Sequence, residues 1–181
     1  AKHIPVKQIL LAREAYSPAV QELIKAAQNS IVIPAYAAQK ILLDDVVIDM
    51  VYAVDSKNEH SGNEASNVIR IGYGAHSFLI TGDLEQQGET AILASGTSVA
   101  STVLKVGHHG AKTSTSPEFL QAVAPRYAVI SVGVNNRFGH PHREILNRLT
   151  EAQIEIFRTD LDGAIVFETD GKKLTGESFI H

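Results

Sequence analysis

Apolar residues along this chain recur in short runs separated by polar or glycine-containing stretches. Val6 to Ala12 is a compact run suited to a buried strand, and Ile31–Ala35, Lys40–Leu43 and Val46–Val54 read the same way. Ser17-Pro18 is a helix start, since Ser caps and Pro fits the first turn; Val20, Leu23, Ile24 and Ala27 then recur at helical spacing. Residues 55–66 are polar and read as a loop. Val68, Ile69 and Ile71 lead through Gly72-Tyr73-Gly74 into Ser77–Thr81, the pattern of two strands joined by a glycine-containing turn. From Leu84 onward, helical and strand patterns alternate. Helices are predicted over Leu84–Ser95, from Ser116-Pro117, and over Pro141–Ala152, where Ile145, Leu146 and Leu149 share a face. Strands are predicted at Thr102–Val106, Tyr127–Val132, Ile154–Arg158, Ala164–Thr169 and Leu174–Phe179. This alternation, with extra hairpins, predicts a layered α/β protein with a mixed sheet. No domain boundary interrupts it, and residues 1–181 read as one domain.

The length of 181 residues supports a sizeable core. The net charge of −4 excludes gripping nucleic acid by bulk electrostatics, so contact with DNA would have to be local. With no cysteine, disulfides, thiolate metal sites and cysteine nucleophiles are excluded. No run approaches the ~20 apolar residues of a membrane-spanning helix. The chain does not begin with Met, and it reads as a piece of a longer polypeptide.

Three polar clusters follow apolar strands: Thr81-Gly82-Asp83, Gly107-His108-His109-Gly110 and Gly139-His140-Pro141-His142. Imidazole and carboxylate are natural ligands of zinc and similar ions. Each cluster also has a structural reading. Asp83 is placed to cap the following helix. Residues 139–142 suit a loop and helix start. Adjacent residues leaving a strand point to opposite sides, so His108 and His109 are not both expected at one site. Lys105, Lys112 and Arg137 flank the histidines and suit either a phosphate or solvent. His3, His60, His76 and His181 read as solvated, and Asp160-Leu161-Asp162-Gly163 reads as a hairpin turn.

Taken in order, these segments resemble a family. Leu79–Glu85, Val103–Gly110, Ala128–Gly133 with Gly139–His142, and Arg158–Asp160 with Asp162–Ile165 are colinear with motifs of the metallo-β-lactamase domain of the ComEC family of DNA-uptake proteins. The similarity runs from about Ser66 to Asp170, with Ala111 standing where the family usually has serine. The resemblance implies a metallo-β-lactamase-like αββα sandwich with mixed sheets. It also implies two divalent metal ions, zinc or manganese, in the intact domain. Asp83 would be the bridging carboxylate and His108 a ligand, with His109, His140 and His142 as catalytic or substrate-contacting groups. The family's His-x-His-x-Asp-His motif occurs nowhere in this sequence. The expectation is therefore a domain truncated at its N-terminus, with an incomplete site.

The function so implied is a metal-dependent hydrolase. The substrate would be a DNA phosphodiester during competence, and the domain would stand on the outer side of a bacterial membrane channel protein. Two rivals remain: a non-catalytic interaction module beside such a channel, and a small-molecule lactone or phosphoester hydrolase on the same fold.

Overall fold

The structure is a computed structural model, and it describes residues 6–11, 18–26, 30–54 and 62–180. The large sheet has strand order β3-β4-β5-β6-β7-β8-β9. Its strands are β3 (Lys40–Leu43), β4 (Val46–Tyr52), β5 (Val68–Tyr73), β6 (His76–Ile80), β7 (Val103–Lys105), β8 (Tyr127–Ile130) and β9 (Glu155–Arg158). Strands β3 to β6 are antiparallel neighbours, with two-residue turns joining β3 to β4 and β5 to β6. From β6 to β9 the pairing is parallel, because helices α2 (Gln86–Ala94), α3 (Pro117–Val123) and α4 (Arg143–Glu151) carry the chain back between strands.

Alternation along the strands divides the side chains into two layers. Leu79, Leu104 and Ala128 occupy one register row and are fully buried. They share a core with Ile92 of α2, Phe119 and Val123 of α3, and Ile145 and Leu149 of α4. Burying one such large aliphatic side chain contributes about 1.5–3 kcal/mol. The opposite face carries Phe78, Tyr127 and Phe157. All three meet Phe167 of the hairpin β10 (Ala164–Thr169) and β11 (Leu174–Phe179), at ring separations of 6.2, 5.4 and 5.4 Å. On the same face Met50 and Ile69 pack against Leu10 of β1 (Gln8–Leu11), which pairs in parallel with β2 (Ile31–Pro34). Helix α1 (Pro18–Ala26) lies between β1 and β2 in the chain, and its expected cap, Ser17, lies outside the described residues. None of the described helices is long and apolar enough to cross a membrane.

One expected element is replaced. The segment 160–163 is not a hairpin turn, since β9 and β10 belong to different sheets. Thr159–Asp162 instead winds into a single helical turn, α5. Asp162 accepts the Arg158 backbone N–H at 2.6 Å, and Asp160 pairs with the Arg158 guanidinium at 2.6 and 3.1 Å. Thr159 Oγ1 ties the turn to Val132, 2.8 Å from both its N and its O. These side-chain bonds outcompete the hairpin geometry that Asp-Gly favours in isolation.

Candidate functional site

Strands β6, β7 and β8 run parallel, so their C-terminal ends open on one edge of the sheet. The three polar clusters follow them there, the usual position for ligands in such sheets. Asp83 follows β6 with its carboxylate 43% exposed, and its N–H donates to Ser66 Oγ at 3.1 Å. It does not cap α2. Glu64 fills that role from a one-turn helix at Gly62–Ala65, accepting the N–H groups of Gln87 and Gly88 at 3.1 and 2.7 Å. The Asp83 carboxylate is left free of the helix.

After β7 the chain turns left-handed at His108 (φ 45°, ψ 47°) and at His109 (φ 56°, ψ 21°). This overturns the expectation that the two side chains part. Two successive left-handed residues remove the strand alternation, and both rings come to one cleft, 6.2 Å apart. The turn is held from behind. Ser114 Oγ lies 2.7 Å from the Gly107 carbonyl and 2.9 Å from that of Ala111, and the Gly107 N–H donates to Thr115 Oγ1 at 3.4 Å. Gly110 has φ +81°, and a Cβ there would stand 2.6 Å from Cβ of Pro141. Only glycine lets this loop meet the third cluster so closely. There the His142 N–H donates to the Gly110 carbonyl at 2.9 Å.

The third cluster brings His140 to 5.4 Å from the His108 ring, 6.4 Å from His109 and 4.9 Å from His142. Four imidazoles thus gather beside Asp83. Burial lowers the His140 pKa below the usual histidine range. His142, His108 and His109 reinforce that shift, and Asp83 opposes it.

Hydrogen-bond partners divide the rings by tautomer. His109 Nδ1 lies 2.6 Å from the Ser131 carbonyl, which only accepts, so Nδ1 carries the proton. The lone pair of neutral His109 is then on Nε2, 3.6 Å from Asp83 Oδ1. His108 Nδ1 lies 2.8 Å from Glu85 Oε1, which likewise leaves Nε2 as the lone-pair nitrogen in the neutral ring. Asn63 and Thr113 also donate to that Glu85 oxygen, at 3.2 and 3.0 Å. Burial pushes the Glu85 carboxyl up, but hydrogen bonds from Asn63, Thr113 and His108 outweigh it and hold the group below the usual range. His142 is reversed: its Nδ1 accepts the Lys112 N–H at 3.2 Å, so neutral His142 presents an Nε2–H donor.

Lys105 is not a free surface cation. Its Nζ donates to the Gly82 carbonyl at 2.7 Å and stands 3.9 Å from Asp83 Oδ1. Burial lowers its pKa, and Asp83 opposes that shift. Lys112 and Arg137 remain exposed. His76, expected in solvent, is half-buried, and its enclosed Nε2 has no hydrogen-bond partner among the described residues. His3, His60 and His181 lie outside the described residues.

Asn63, Ser66, Glu85, Thr113 and Ser131 were not among the sequence candidates. Of these, Glu85 and Ser131 carried a signal, since each lies within one of the colinear motifs, Leu79–Glu85 and Ala128–Gly133. Asn63, Ser66 and Thr113 lie outside these motifs.

A divalent ion needs convergent lone pairs. Asp83 Oδ1 and His109 Nε2 face one another as two acceptors with no hydrogen between them when the ring is neutral; a protonated ring would donate to Asp83 instead. His108 Nε2, the lone-pair nitrogen of its neutral ring, stands 3.5 Å from the Asn63 amide nitrogen. These residues fit part of a metal shell, since no group of three or more potential ligands converges among the described residues.

Residues 1–134 match the Metallo-beta-lactamase superfamily profile. The chain is 35% identical over 172 residues to ComE operon protein 3 of Bacillus subtilis, covering 92% of this chain and 22% of that protein. It is 39% identical over 132 residues to Competence protein ComA of Neisseria gonorrhoeae, covering 72% and 19%. With Recombination protein 2 of Haemophilus influenzae it shares 38% over 103 residues, covering 57% and 13%. The chain therefore spans about a fifth or less of the length of these curated relatives. Among solved structures, a variant of the β-hydroxylase CmlA aligns with a TM-score of 0.55 at 9% identity, over 83% of this chain and 38% of that one. This likeness bears on the fold alone.

Proposed function

Because this chain belongs to the metallo-β-lactamase superfamily and carries the domain of a ComEC-type competence protein, we propose that its histidine cleft serves a metal-dependent phosphodiesterase acting on DNA. The superfamily is one of hydrolase domains that generally bind divalent metals. Phosphodiester chemistry, two ions of zinc or manganese, and a parent protein seated on a membrane channel with this domain outside are the finer reading. The observation that carries it is the approach of Asp83 Oδ1 and His109 Nε2 to 3.6 Å, two acceptors aimed at one point.

In this reading Asp83, His109 and His108 would contribute to a larger ligand set for the ion. That moves His109 from substrate contact to metal donor. A divalent ion bound there supplies Lewis acidity. The chain's own groups do the rest. Lys105, anchored on Gly82, keeps the Asp83 carboxylate oriented. Ser131 and Glu85 fix the tautomers of His109 and His108. His142 presents an N–H toward a phosphoryl or leaving oxygen, and His140, whose burial favours the neutral ring, accepts a proton from an attacking water.

The non-catalytic reading is favoured by the partial ligand set, and one experiment separates the readings. Metal content is measured on the purified protein beside turnover of bis(p-nitrophenyl) phosphate, a single-stranded oligonucleotide and a simple lactone. Asp83→Ala should lose metal and phosphodiester turnover together. Turnover of the lactone alone would establish the small-molecule hydrolase. A protein that takes up neither zinc nor manganese and turns over none of the three would establish the interaction module.

A further inference from the structure

The loop between β8 and α4 carries a feature that the hydrolytic chemistry does not use. Residues 133–140 are braced on Asn136. Its side-chain amide donates to the His140 carbonyl at 2.5 Å and its Oδ1 accepts the His140 N–H at 2.9 Å, while its own N–H donates to the Gly133 carbonyl at 3.3 Å. The braced loop holds Phe138 in solvent, 65% exposed, with Val134 68% exposed in the same loop. Scattered exposed apolar residues are ordinary. This one is organised. The Arg137 guanidinium carbon sits 5.1 Å from the Phe138 ring centre. The phenyl ring lies 6.0 Å from His140 at an interplanar angle of 27°, and His140 lies 6.4 Å from His109 at 22°. A near-parallel series of rings thus runs from exposed Phe138, with Arg137 over it, through His140 to the ring that faces Asp83.

We propose that Arg137 and Phe138 form a stacking platform for one unpaired nucleobase of a single-stranded nucleic acid, placing the adjoining phosphodiester at the histidine cleft. This rests on the phosphodiesterase reading and names its substrate form. The Arg137 guanidinium over the phenyl ring offers a planar cationic surface that stacks on any base, and its charge complements the backbone phosphate. Along its length a duplex offers no such face, because its bases are stacked on one another. With a net charge of −4, the chain has no bulk attraction for DNA, so a local stacking contact must carry affinity.

The chain contains no tryptophan, so Phe138→Trp gives one fluorophore at the proposed contact. Oligothymidylate should quench its emission saturably, whereas an abasic strand of equal length and a blunt duplex should not. Phe138→Ala should weaken oligothymidylate binding about 5- to 150-fold and abolish the preference over the abasic strand. Unquenched emission with every strand, or a preference that survives in Phe138→Ala, overturns the platform. Oligonucleotide cleavage by the wild type is scored separately. Cleavage without quenching refutes the platform and leaves the chemistry standing; quenching without cleavage does the reverse.

Discussion

Glu89 is a buried carboxylate outside the histidine clusters, yet it should decide whether the histidine loop holds its shape. It sits on α2, 2% exposed, and accepts the backbone N–H groups of Thr115 and Ser116, the latter at 2.8 Å. Arg148 donates to the Thr115 carbonyl from the other side. Thr115 and Ser114 in turn hold Gly107, the residue before the left-handed pair. Glu89→Gln keeps one amide oxygen for one of these N–H groups and turns an NH2 against the other. A buried N–H left without an acceptor costs about 1–3 kcal/mol. Burial raises the Glu89 pKa in spite of hydrogen bonds from Ser116 and Thr115 and the Arg148 charge. A raised folded-state value means that the native protein holds this proton more tightly than the unfolded chain. The associated stability is full below the unfolded value and is lost as pH rises through the folded one. The glutamine variant lacks this dependence, so its deficit should be largest in acid and narrow as pH rises above 4.5, the unperturbed carboxyl value. Urea unfolding of both proteins across pH measures the difference, and amide exchange at Thr115 and Ser116 localises it. Equal stability at every pH, with equal protection of both amides, would refute the strut.

The tautomer assignments predict that His108→Ala and His109→Ala each lower metal occupancy. His142→Ala should keep the metal and lose rate by about 10²–10⁴-fold; elemental analysis beside turnover checks both, and His142→Ala stripping the metal would overturn the division of roles. Gly110→Ala should destabilise the protein and separate the second and third clusters, because a Cβ 2.6 Å from Pro141 has no room and the positive φ adds about 1–2 kcal/mol of backbone strain. A crystal structure of that variant with the His108–His140 ring distance unchanged from 5.4 Å would contradict this.

What could be read from the sequence lay within a few residues. Strand β3 falls at Lys40–Leu43, as the apolar run predicts, and Ser116 caps α3 by accepting the Phe119 N–H at 3.3 Å with Pro117 in the first turn. The helical spacing of Ile145 and Leu149 marks the buried face of α4. The motif order also identified the family, since several specific strings in register are a local property of the chain. Beyond that reach, tertiary partners decided. Asp83 resembled a cap until Glu64 was seen to occupy the α2 N-terminus. Residues 160–163 resembled a hairpin turn until Arg158 and Val132 were seen to hold them in a helical turn. His108 and His109 were expected to diverge and do not, because Ser114, together with Thr115 pinned by Glu89, holds the Gly107 end of a left-handed turn that Gly110 lets dock on Pro141. Local patterns report the backbone's preference over about one turn or one strand pair. The rings of His108 and His109 are oriented by Glu85 and Ser131, 23 and 22 residues away, and such contacts exist only once the sheet has assembled.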